Sequence, residues 1–257
     1  FNAKALNSNE EYIKIFRESN PKPFQLIGLN IQPYTAEQET TKEVDEVEPS
    51  LSKQELKENS KLLEEQPFVH LHNHTQFSIL QSTSNIKSIV HYAASLNMPA
   101  IAITDLGNMM GVFHFVKECE LANIKAIVGC EFYVSDEFQR LQFTKDQPDR
   151  RFKQVLIAKN QKGYHNLSKL CSVGFIEGYY SGLPRVGKET IEQFKENLIC
   201  TTGGLEGEIP HLILNIGEAQ AEEAFQYWHK SFGDDFYVQL MRHGLEEENR
   251  VNEVLLR

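Results

Sequence analysis

A single tryptophan and four cysteines are spread over 257 residues, and no two of the cysteines form a C-x-x-C pair. Cys119, Cys130, Cys171 and Cys200 each sit in or beside an apolar stretch. That pattern argues against a zinc ribbon or a disulfide framework and for buried free thiols in a reducing compartment. Basic excess is also missing: 26 Lys and Arg stand against 36 Asp and Glu, a formal net charge of −10. A segment that gripped DNA by itself would show a basic face, because neutralising phosphates supplies most of such affinity. No apolar run approaches the roughly 20 residues that span a bilayer, so the expected location is the cytoplasm. The chain opens on Phe1 rather than Met, so it reads as an excised segment, and no signal peptide is visible.

What is present is 40% hydrophobic and 24% charged, an ordinary globular composition with room for one large domain or two small ones. Composition shifts divide the chain into three. Residues 1–35 hold a short helical pattern and then a Pro-broken extended piece, too little for a domain. Residues 36–66 are rich in Glu, Lys, Gln and Ser, with Glu43, Asp45, Glu46 and Glu48 making the first half acidic. Such a stretch cannot bury enough apolar surface to offset its ordering entropy and reads as a largely disordered linker. Ser52 with Glu55 forms a capping box that predicts one exposed helix in its second half.

From residue 67 to 257, apolar strands and amphipathic helices alternate. PFVHLHNH reads as a strand starting at its proline. Ser84 is placed to cap a helix carrying Ile86, Ile89, Val90, Ala93 and Ala94 at helical spacing. AIAIT ends in Asp105 and reads as a strand covered on both faces. A helix through Phe113, Val116 and Leu121 follows, then the strands AIVGCEFYV, QVLIA, LICTT and FYVQLM. Repeated βα units with buried strands imply an α/β fold with a parallel sheet, open or closed into a barrel.

The chemistry concentrates in VHLHNHTQFS, residues 69–78. Alternate strand residues face one way, so His70, His72 and His74 form a column of imidazoles. One strand histidine is usually a satisfied core or surface residue; three in alternation are hard to explain by packing, since each ring nitrogen needs a partner. Asp105 and Glu131 lie at or near strand ends, where βα proteins gather functional groups. A lone acid there is more often a turn former, but beside the imidazoles the two suggest a shared metal site. Trp228, with Phe225 and Phe232 at helical spacing, reads as core. Arg185 reads as a structural ion pair before a phosphate ligand, and TTGGLEGE lacks the Lys-Ser/Thr of a P-loop.

HLHNHTQFS, MPAIAITDLGNMMG, AIVGCEFYV, VLIAKNQKGYHNLSKL, GFIEGYYSGLPRV, GGLEGEIP and QLMRHGLEEENRVNEVLL follow in that order. Together they resemble the PHP (polymerase and histidinol phosphatase) domain that opens the alpha subunit of bacterial DNA polymerase III, across residues 67–257. The resemblance implies a distorted (β/α)7 barrel, here truncated before its last strand. It also implies a site that holds up to three metal ions in members that retain it. His72 and His74 match the first ligand pair and Glu131 the bridging carboxylate. Gln81, Leu106, Lys153 and Gly204 stand where ligands are expected; a final Asp-x-His pair would fall beyond Arg257. His70, Asp105 and His243 are further pocket candidates.

A leucine cannot coordinate a metal, and an ammonium repels one, so no working cluster and no cofactor are expected in this segment. An ammonium at position 153 is expected to pair with Glu131. The alternative is a single Zn or Mn ion on His72, His74 and Glu131, serving a phosphoesterase or proofreading 3′–5′ exonuclease. The resemblance places polymerase carboxylates and their Mg outside this chain. It implies as partners the rest of the polymerase core and a proofreading exonuclease, with DNA engaged through the parent polymerase. FRESNPKPFQLIGL resembles the tail of an exonuclease domain fused ahead of some alpha subunits, in which case the linker would raise the proofreader's effective concentration.

Overall fold

The computed structural model describes residues 68–257; the expected tail, linker and Ser52/Glu55 capping box lie outside the described residues. Within them, strands β1 (Ala100–Ile103), β2 (Lys125–Val134), β3 (Phe152–Ala158), β4 (Tyr179–Tyr180), β5 (Leu183–Val186), β6 (Leu198–Thr201) and β7 (Phe236–Tyr237) build one sheet. Helices α1 (Ile86–Ser95), α2 (Val112–Leu121), α3 (Gln161–Ile176), α4 (Lys188–Phe194), α5 (Glu208–Asn215), α6 (Glu218–Phe232) and α7 (Glu246–Leu255) surround it. The α/β class expected from the alternation is what forms. No helix among the described residues is long and apolar enough to cross a membrane.

The sheet is mixed, which corrects the expectation of parallel pairing throughout. β1 and β2 run parallel, as do β2 with β5 and β6 with β7, but β3 is antiparallel to both β2 and β6. The reason lies in the connection: the stretch between β2 and β3 contains no helix, and a parallel return needs a crossover that is usually helical. β4 and β5 form a hairpin around Ser181 and Gly182, both at positive φ (51° and 85°), as a primed two-residue turn requires.

β1 is buried at all four positions, as its unbroken apolar run predicts. Helices α1 and α2 cover it with Ile86, Val90, Ala93, Val112, Phe115 and Cys119. The buried face of α2 is thus Val112–Phe115–Cys119, not the expected one: Phe113 and Leu121 are 84% and 70% exposed. Asn85, not Ser84, caps α1, its side chain accepting from the Lys87 N–H at 3.0 Å. The larger core joins Phe132, Leu156, Leu167, Leu170, Leu198 and Trp228. Trp228 is buried as expected, and its Nε1–H donates to Glu208 at 2.9 Å. All four cysteines are free; Cys130 and Cys171 meet at 3.9 Å between sulfurs, and burial foremost pushes the Cys130 thiol well up. The last strand is only Phe236–Tyr237, shorter than FYVQLM suggested.

Candidate functional site

The histidine segment runs beside β1 without forming a regular strand. Ala102 N–H donates to His70 O at 3.0 Å and Thr104 N–H to Asn73 O at 2.9 Å. Three steps of the histidine segment therefore match two of β1, a bulge-like irregularity. Asn73 fills the break: its side-chain amide donates to the His70 and Ala102 carbonyls, each at 3.1 Å. The extra residue breaks the alternation. His70 turns outward against Phe68, ring centroids 4.8 Å apart, while His72 and His74 turn toward Glu131. The expected column of three becomes a pair.

Glu131 is 3% exposed. His72 Nε2 lies 3.1 Å from its Oε1, and His74 Nε2 lies 2.8 Å from its Oε2. The Gln239 side-chain N–H donates to His72 Nδ1 at 2.8 Å, while Gln239 Oε1 accepts from Thr201 Oγ1 at 2.9 Å. With Nδ1 as acceptor, His72 carries its proton on Nε2 and donates to Glu131. Burial alone would raise the Glu131 carboxyl, but the hydrogen bonds from the two imidazoles outweigh it, and the pKa falls from 4.5 to about 2. One donor atom from each of His72, His74 and Glu131 lies within 4.8 Å of the other two, so this group could hold a metal ion.

These three residues line a cleft of about 490 Å³ together with Gln81, Lys153, Gly204, Glu206, Met241, His243 and Glu248. Lys153, 8% exposed, does not pair with Glu131 as expected. Its ammonium donates to Glu206, and its backbone N–H donates to the Glu206 carbonyl at 2.9 Å. The physical reason is that both oxygens of Glu131 are already taken by imidazoles. A Cβ on Gly204 would sit 2.8 Å from Met241 Sδ and 3.9 Å from His72 Cε1, so the methionine sulfur fills the space a side chain there would use.

His243 lies on the cleft with its side chain 65% exposed, its Nδ1 2.6 Å from Glu248 Oε1 and its backbone N–H donating to Oε2 at 2.6 Å. Burial presses the Glu248 carboxyl upward, but hydrogen bonds from His243 and the Leu245 backbone hold it below its usual range. Leu106 makes a backbone bridge to Glu131 and donates its N–H to Ser78 Oγ at 3.0 Å. Asp105 lies outside the cleft. It is 1% exposed and accepts from Thr75 N–H, Thr75 Oγ1 and Ser78 Oγ, each at 2.6 Å, which knots the turn after the histidines. Arg185 is fully buried and donates to Asp149 at 2.9 Å, with the Phe143 and Tyr180 rings beside it, the structural role its sequence suggested.

Sequence reasoning missed Gln239, Glu206 and Glu248. Glu248 carried a signal: three residues after Leu245, the N-cap of α7, it occupies the position from which a glutamate reaches back to the cap. Glu206 and Gln239 carried none.

The PHP domain family model matches residues 70–243. The chain belongs to the PHP domain family. Among curated relatives, this PHP domain is 40% identical over 190 residues to DNA polymerase III subunit alpha of Borreliella burgdorferi, covering 74% of the chain. It is 41% identical over 192 residues to that of Treponema pallidum, again 74% of the chain, and 36% identical over 196 residues to that of Thermus aquaticus, 73% of the chain. The chain spans 16% of the length of each of these relatives. It is a PHP domain homologous to part of the DNA polymerase III alpha subunit.

Proposed function

We propose that this PHP domain works inside a bacterial, cytoplasmic DNA polymerase III alpha subunit as a structural and interaction module with a vestigial metal site, and is not itself catalytic. Its partners are the rest of the polymerase core and a proofreading exonuclease, separate or fused ahead of residue 67. DNA is engaged through the parent polymerase, whose Mg-binding carboxylates belong to another domain. One observation carries the reading: every carboxylate lining the cleft is already matched by a group of the chain itself. Glu131 faces His72 and His74, Glu206 faces Lys153, and Glu248 faces His243. A cluster of divalent cations needs free carboxylates and further donors. Lys153 brings a like charge, Gly204 brings no donor, and Leu106 brings only its backbone, so the residues present do not fit a cluster.

The test is metal analysis of the purified, unchelated chain together with a phosphoesterase assay. We expect less than one equivalent of zinc or manganese and no hydrolysis that depends on His72. Stoichiometric metal with hydrolysis abolished by His72→Ala would reject the reading. A second reading, a single Zn or Mn ion in a residual phosphoesterase or proofreading site, is favoured by the 4.8 Å grouping of His72, His74 and Glu131. Those three residues would hold the ion, and its chemistry would be Lewis-acid assistance to phosphoester hydrolysis.

A further inference from the structure

Glu131 and Lys153 share one face of the sheet. In the antiparallel β2–β3 pair, Glu131 stands opposite Val155 and Tyr133 opposite Lys153, so the carboxylate and the lysine are diagonal neighbours on the same side. The lysine is 8% exposed and lines the same cleft as the two imidazoles. Its holder is of a different kind: the Glu206 side chain is 72% exposed. Water screens that carboxylate, so it offsets only part of the field that the sheltered ammonium casts into the cleft.

The pair also has a mechanical side. Lys153 grips Glu206 twice, through the ammonium on the side chain and through the backbone N–H on the carbonyl at 2.9 Å. The turn carrying Glu206 closes on itself, Gly207 N–H donating to Gly204 O at 2.8 Å. It also lies against β3: Gly203 has φ +76°, and a Cβ there would stand 3.1 Å from the Lys153 carbonyl oxygen. Residues 203–207 therefore form a flap fastened to the strand by one residue, with the sulfur of Met241 packed against its Gly204 side.

We propose that the Lys153–Glu206 pair does internally what bound ions would otherwise do: it fastens the 203–207 turn beside the cleft and, through its ammonium, holds down the divalent-metal affinity of the His72–His74–Glu131 group. The proposal rests on the reading of that group as vestigial and adds the residue that keeps it so. An ion on the three donors would share the cleft with a positive charge that cannot leave. Removing the charge while keeping the chain length improves metal affinity; moving it to a guanidinium does not.

The experiment is a zinc titration by calorimetry on the 257-residue chain and on Lys153→Met, Lys153→Arg and Lys153→Met/His72→Ala, with amide exchange of residues 203–207 followed in parallel. Lys153→Met should bind zinc at least about tenfold more tightly than the unmodified chain, and lose that gain when His72→Ala is added. Lys153→Arg should stay weak. Without zinc, residues 203–207 of Lys153→Met should exchange faster. Equal zinc affinity in Lys153→Met and the unmodified chain overturns the proposal, as does an equal gain in Lys153→Arg. If Lys153→Met does not fold, Glu206→Gln decides: with the ammonium less compensated, zinc binding must weaken or stay below detection, and tighter binding refutes the proposal. Tight, stoichiometric zinc on the unmodified chain would reject the vestigial reading instead, and the comparison with Lys153→Met would still judge the role of the lysine.

Discussion

Replacing Glu131 by glutamine keeps the volume and removes the charge that two imidazoles face. The carboxylate accepts from both rings; an amide offers one acceptor and turns an N–H toward the other ring. His72 cannot adjust freely, because its Nδ1 is already committed to Gln239. The drop of the Glu131 pKa from 4.5 to about 2 corresponds to about 3 kcal/mol of folded-state preference for the charged form. Because the pKa is depressed, that contribution is complete above the unfolded value and fades as the pH falls toward the folded one. Urea unfolding near neutral pH should show Glu131→Gln destabilised by about 3 kcal/mol, two charge-assisted hydrogen bonds less the relief of a buried charge. The gap to the unmodified chain should narrow as the pH is lowered from about 5 toward about 2. A gap below about 1 kcal/mol, or one that stays constant over that range, would refute the assignment of Glu131 as the carboxylate clamped by His72 and His74.

Other perturbations follow from single contacts. Trp228→Ala empties the centre of the larger core and leaves Glu208 with Lys188 as its remaining partner, and thermal or urea unfolding should register a loss of about 3–5 kcal/mol. Arg185→Lys keeps the charge but cannot serve Gly178 O, Asp149 and Arg140 O at once. It should cost about 3 kcal/mol and speed tryptic cleavage between β2 and β3. A Cβ at Gly178 would stand 1.9 Å from the Arg185 carbonyl oxygen, so Gly178→Ala must displace the β4–β5 hairpin and lower the melting temperature, by about 1–3 kcal/mol equivalent. Chelation of the unmodified chain should leave its melting temperature unchanged.

What the sequence made legible was local chemistry. The run AIAI is apolar at every position, and all four residues are buried; the period of Ile86, Val90 and Ala93 became the inner face of α1. Strand direction was open to misreading because βα alternation suggests crossovers everywhere. Yet the residues between β2 and β3 carry Pro148 and no helical period, and that was a usable sign of an antiparallel return. His72 and His74 do face one way, toward Glu131, but the alternation fails at His70 because it presumes a regular strand while Asn73 inserts a step. The pairing of Lys153 was not legible at all. Its partner sits on a turn 53 positions later in the chain, and nothing local marks that turn as the one that folds back.

The contact between His72 and Gln239 joins residues 167 positions apart. The entropic cost of closing such a span grows only with the logarithm of its length, but the contact has to await synthesis of Gln239. During translation His72 and His74 would emerge early and stand without Gln239 until it follows. The cleft therefore cannot be completed before Gln239 is made, and the His72 imidazole resonances would report when that contact has formed.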